Sequence, residues 1–197
     1  MPLSAPAQRD HIHTRTVECR GYRREDGLWD IEGHLVDVKS YPFPNAFRGT
    51  IEAGEPLHDM WLRLTVTDQL EIVRSEAVID HHPYDICPLI APNFKRLEGL
   101  KIGPGFTRKV KTLLGGVQGC THLVELVGPV ATTAFQTVYP ILARQRGELP
   151  HTHGRAESRH RPSLLNSCHA YAEDGEVVRR HWPDHYTGSR STVEAAE

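Results

Sequence analysis

The run "MWLRLTVTDQLEIVRSEAVID", Met60 to Asp80, carries the clearest strand signal in the chain. Leu62, Leu64 and Val66 alternate with polar residues, a turn falls near Asp68, and a second strand rises from Ile72 to Ile79. Strand side chains point alternately to opposite faces, so a period of two predicts an antiparallel hairpin. Upstream, "TVECRGYRREDGLWDIEGHLVDVKSY" holds two β-rich runs around the turn signal Glu25-Asp26-Gly27. In its second run Leu28, Asp30, Glu32, His34, Val36 and Val38 fall on one side, and Trp29, Ile31, Leu35, Asp37 and Lys39 on the other. The alternation is imperfect around Gly33, where a bulge is expected. A third hairpin is expected in "LLNSCHAYAEDGEVVRRHW" around Asp174-Gly175, and the Pro- and Gly-rich "YPFPNAFRGTIEAGEPLHD" reads as a loop.

Three helices follow from apolar spacing. Leu89, Ile90, Phe94 and Leu97 suggest one near residues 88–99, ending at Gly99, and "PGFTRKVKTLLGG" gives a short basic amphipathic helix near 105–114. Leu123, Leu126, Val127, Val130, Ala131 and Ala134 form one broad apolar face of a helix near 120–140, with a bend expected at Gly128-Pro129. The expected fold is α+β, a mostly antiparallel sheet built from hairpins with the helices packed on one face. Residues 1–15 read as an arm, 16–185 as a single domain with a polar insert at 144–163 serving as a mobile loop or lid, and 186–197 as a polar tail.

Hydrophobic residues make up 39% and charged residues 24% of the 197, and the formal net charge of −2 gives no pull toward nucleic acid. No apolar run approaches the roughly 18 residues that cross a membrane. With no signal-peptide pattern at the start, a cytoplasmic protein is expected, its four cysteines Cys19, Cys87, Cys120 and Cys168 free thiols. Neither a P-loop ending nor a GxGxxG after a strand is present, so no nucleotide site is expected.

Thirteen histidines stand mostly beside other polar groups, as in "HIH", "LHDM", "DHHPYD", "CTHL", "HTHGR" and "SCHAY". In "GGVQGCTHLVEL", Gly115 to Leu126, glycines discourage an earlier start and place Cys120 at the mouth of the long helix, with His122 two residues on and Glu125 on the same face. The positive helix end favours an anion, so Cys120 is either an activated nucleophile or metal ligand, or a small buried thiol beside a core histidine. His58-Asp59 and Asp80-His81-His82 sit at expected strand ends, where His58, Asp59, His81 and His122 could gather around one pocket with Cys120 at its floor. "HIH" and "HTHGR" fall in segments that read as flexible and solvated. Asp37 and Lys39 share one side of "DIEGHLVDVK", which an ordinary exposed strand face explains.

The strings "GYRREDGLWDIEGHLVDVKSY", "GEPLHDMWLRLTV", "PYDICP", "GCTHLVEL" and "SCHAYAEDGEVVRRHWP" resemble a bacterial family known only as a domain of unknown function, over about residues 15–185. More loosely, the order of two strands, a Cys, a helix and Gly119-Cys120 at the next helix is similar to NifU-type iron–sulfur scaffold proteins, with Cys87 and Cys120 at comparable places.

Three functions are open. The first is a small-molecule enzyme, a lyase or hydrolase, in which His122, Cys120, His58, Asp59, His81 and Lys39 supply acid–base chemistry on an aromatic or apolar substrate, cofactor-independent carbon–carbon cleavage among the options. Trp29, Tyr41, Phe43, Phe47, Trp61, Tyr84 and Trp182 are candidates for its pocket wall. No cofactor is favoured, zinc or iron stays open, and so does a homo-oligomer. The second is a metal or iron–sulfur carrier with ligands from Cys87, Cys120, His122 and Cys168. The third is a non-catalytic partner protein, its contact surface the 144–163 insert.

Overall fold

A computed structural model describes residues 3–146 and 161–188. Most of the expected 144–163 insert and of the 186–197 tail lies outside the described residues. The chain divides into two compact units, Met1–Val138 and Tyr139–Glu197.

The first unit is built on an antiparallel sheet in the order β1-β2-β5-β6, from β1 (His13–Arg23), β2 (Trp29–Lys39), β5 (Pro56–Val66) and β6 (Ile72–His81). The fold is α+β, as the hairpin pattern implies. β1 begins at His13, inside the stretch read as an arm. The Pro- and Gly-rich loop holds a small hairpin of its own, β3 (Phe43–Asn45) and β4 (Gly49–Ile51), closed by the Asn45 side chain accepting the Phe47 and Arg48 amides.

The alternation in β2 is regular: Trp29, Ile31, Gly33, Leu35 and Asp37 are buried and the residues between them partly exposed. Gly33 is no bulge, because it pairs in register with Cys19 and Leu62. A Cβ at Gly33 would lie 2.4 Å from Val130 and 3.0 Å from Leu126, and one at Gly21 would lie 2.0 Å from Thr137. Both glycines let the helix α2 (Thr121–Gln145) lie against the sheet. The register breaks come instead at Asp37/Val38 in the β2–β5 ladder and at Asp59/Met60 and Thr65/Val66 in the β5–β6 ladder.

Leu123, Leu126, Val127, Val130 and Ala134 of α2 are buried, as are Ile31, Leu35, Met60, Leu62 and Leu64 of the sheet. Each of these side chains larger than alanine contributes roughly 1.5–3 kcal/mol by leaving water. α2 begins directly after Cys120 and runs unbroken through Gly128-Pro129. By length and composition it could cross a membrane, contrary to the expectation that no segment could; 39% of its most apolar window is buried in this fold. A 3-10 segment, Cys87–Leu97, and α1 (Phe106–Leu114) occupy the other expected helical stretches.

In the second unit, the expected hairpin at Asp174-Gly175 is absent. Gly175 instead leads into α3 (Glu176–His181), whose Glu176 pairs with Arg179 at 2.7 Å and Arg180 at 3.5 Å. Such i,i+3 and i,i+4 pairs support a helix, and the adjacent Val177 and Val178 have no partner strand among the described residues. Val178 packs with Leu165 and Trp182 in a small cluster.

Gly33→Ala should destabilise the protein by about 2 kcal/mol, because its methyl has no room against Val130 and Leu126. Urea unfolding measures this; an unchanged midpoint would contradict the close approach of α2 to β2.

Candidate functional site

Asp37 continues the buried phase of β2 that begins at Trp29, so its carboxylate points under α2, and only 1% of the residue is exposed. A buried charge needs partners. Arg15, two strand positions after His13 on β1, supplies a fork: Nε donates to Oδ1 and Nη2 to Oδ2, both at 2.8 Å. His58 on β5 donates from Nδ1 to Oδ2 at 2.9 Å, and His13 Nε2 lies 3.2 Å from Oδ1. Arg15 also donates from Nη1 to Glu125 of α2 at 2.6 Å. The His122 ring stands 3.8 Å, centroid to centroid, from that of His58, with Nε2 3.8 Å from Asp37 Oδ2 and Nδ1 3.9 Å from the Cys120 thiol.

These contacts set the charges. Burial alone would raise the Asp37 pKa, but the Arg15 guanidinium, helped by His58, holds it at about 2. His58 is pushed below the ordinary histidine value by burial and then by His122, against the pull of Asp37. His122 is lowered by burial and then by Arg15. The Arg15 pKa is raised, first by its bonds to Asp37. A carboxylate that accepts from His58 Nδ1 fixes the tautomer with Nε2 bare, the form of a base.

The expected single pocket does not form. His58, His122 and Cys120 come together, but Asp59 follows His58 in the strand and so points through the opposite face. There it holds His34 at 2.7 Å and lies 3.8 Å from His81, while His34 stacks on Trp61 at 3.8 Å. Lys39 lies over the Tyr41 and Phe43 rings, at 5.5 and 5.8 Å. The aromatic wall fails too, since Trp29 is core and Trp61 is on the far face. Asp37, Arg15 and His13 are the residues that sequence reasoning passed over. The signal for Asp37 was its phase, an acid in step with Trp29, Ile31 and Leu35.

Among the described residues, Asp37, His58 and His122 form the one group whose ligand atoms all lie within 4.8 Å of one another. No cysteine belongs to it, so Cys87, Cys120 and His122 form no such group within the first unit, and the iron–sulfur layout finds no support. Cys168 is exposed in the second unit.

Fold and site define an α+β protein with a carboxylate–histidine cluster buried between an antiparallel sheet and its long helix. The chain belongs to the family described as protein of unknown function (DUF2889), whose model matches residues 13–136. The match starts at His13 and takes in Arg15, Asp37, His58 and His122. No curated protein and no solved structure matches the chain.

Asp37→Asn should cost about 3 kcal/mol at pH 7, the usual penalty for breaking a buried pair. The Asp37 pKa falls on folding, so its ionised form stabilises the native state fully above the unfolded value of 3.8, and that stability is lost as pH falls toward about 2. Urea unfolding of both proteins from pH 7 down should therefore show the gap closing below about pH 4; a gap constant to pH 2 would contradict the ion pair.

Proposed function

We propose that this chain is a small-molecule enzyme in which His58 and His122 move protons around a permanently ionised Asp37. The supporting observation is the 2.9 Å bond from His58 Nδ1 to Asp37, with the His122 ring 3.8 Å away. The carboxylate orients His58 and leaves Nε2 basic, and both rings are held neutral near pH 7, the state a general base needs. His122 is the more open of the two and makes only long contacts, so it is free to pass a proton between His58 and substrate. Lyase or hydrolase chemistry on an aromatic or apolar substrate fits this pair. In a cofactor-independent carbon–carbon cleavage, the base takes a hydroxyl proton, the carbon–carbon bonding pair moves to the carbon carrying an electron acceptor, and the conjugate acid returns the proton there. Four free thiols fit a cytoplasmic setting.

A second reading is a zinc or iron ion on Asp37, His58 and His122, a two-histidine, one-carboxylate set. The donor set is a poor fit as it stands. Arg15, His13 and His58 already occupy both Asp37 oxygens, so a metal would have to displace a guanidinium or the His58 bond.

Incubated with a cell metabolite extract and followed by mass spectrometry, the wild-type protein should consume a metabolite that His122→Ala leaves untouched, while the two unfold at the same temperature. Metal analysis of tag-free protein should find no stoichiometric ion. No difference in consumption sinks the proposal, and a stoichiometric metal lost in His58→Ala establishes the second reading. Because both histidine pKa values fall on folding, the neutral base is populated at lower pH than in a free histidine. Activity should rise with pH and reach half its plateau below pH 6.5.

A further inference from the structure

Within the first unit, α1, α2 and the edge strand β1 enclose a groove of about 1030 Å³, at the upper end of small-molecule sites. Its walls are apolar: Val17 from β1, Phe106 and Val110 from α1, Val124, Ala131 and Phe135 from α2. It carries two charged side chains, Glu125 and Lys111. Glu125 shares with Asp37 the single Arg15 guanidinium, at 2.6 Å, which ties the groove to the Asp37 cluster. Lys111 has no acid beside it: its side chain makes no ion pair or hydrogen bond among the described residues, and it is exposed.

The imbalance extends along the chain. Between residues 95 and 111 stand Lys95, Arg96, Lys101, Arg108, Lys109 and Lys111 against one acid, Glu98, whose carboxylate accepts the Ser75 amide. None of those six cations forms a salt bridge among the described residues, in a chain whose net charge is −2. Arg108 precedes Lys111 by one helical turn and shares its flank of α1. An uncompensated cation at an apolar groove selects an occupant with an apolar body and an anionic head.

We propose that the groove binds an amphipathic small-molecule anion, a carboxylate or phosphate ester with an apolar body, its head on Lys111 and Arg108 and its body between α1 and α2. This rests on the reading of the Asp37 cluster as the reaction centre and names the class of substrate held beside it, where Glu125 joins the groove to Arg15.

Dodecanoate, dodecyl phosphate and neutral 1-dodecanol, each kept monomeric, are titrated into the full chain by calorimetry. At least one anion should bind roughly fivefold or more tighter than dodecanol, and Lys111→Ala should remove most of that difference. Thr132→Trp on α2 and Val17→Trp on β1 place bulk in the groove at exposed positions, and both should abolish binding while retaining the wild-type melting temperature. His58→Ala should bind as wild type does, which separates the groove from the chemistry: binding without histidine-dependent turnover leaves the groove standing and removes the enzyme reading. Equal affinity for dodecanol and both anions, or wild-type binding by the two tryptophan variants, overturns the proposal.

Discussion

The buried charge of Asp37 is the constraint on which the first unit turns. A carboxylate taken from water under a helix is unfavourable unless its oxygens are filled, and they are filled by residues of two flanking strands, His13 and Arg15 of β1 and His58 of β5. Because Arg15 also binds Glu125, the same ionic group fastens α2 to β1 and β2, which the backbone ladder joins to each other but not to the helix. A slip of β1 by one residue would turn Arg15 and His13 to the far face and leave Asp37 with His58 alone and no guanidinium, so the ion pair specifies register as well as site.

Position then depends on packing. α2 comes close enough to carry His122 over His58 only because β1 and β2 present glycines where it crosses them, Gly21 against Thr137 and Gly33 against Val130. Two of the three ladder shifts, at Asp37/Val38 and Asp59/Met60, fall where Asp37 and His58 stand, and such breaks re-aim side chains at the ends of strands. One helix thus supplies a ring to the cluster, the carboxylate that restrains Arg15, and a wall of the groove.

Much of this was legible in the sequence. The period of two in Met60 to Asp80 and the Glu25-Asp26-Gly27 turn identify both large hairpins, and the glycines before Cys120 set the start of α2 within one residue. Where sequence reading went astray, it weighed residue type above phase. "DIEGHLVDVK" looks like an exposed strand because it is rich in acids, yet Asp37 is in step with tryptophan and isoleucine. His58 and Asp59 look like one site because they adjoin, and strand geometry sends them to opposite faces. Gly33 suggested a bulge because strand glycines are unusual, while its partner, a helix 97 residues later in the chain, leaves no local mark. "GEVVRRH" carries β-branched residues, but a strand needs a neighbour and a helical turn can be held by its own Glu176 and Arg179.

The same saturation of Asp37 bears on what the cluster can do. A metal ligand offers a lone pair, whereas this carboxylate has committed its oxygens to Arg15 and two histidines. A carboxylate so held cannot itself take up a proton near neutral pH, since Arg15 keeps its pKa at about 2. What it does is hold: it fixes one nitrogen of His58, while burial lowers the pKa of both rings. The capacity to exchange protons therefore lies with His58 and His122, and with His122 first, because it is the ring at the helix mouth, least restrained by hydrogen bonds and nearest to water.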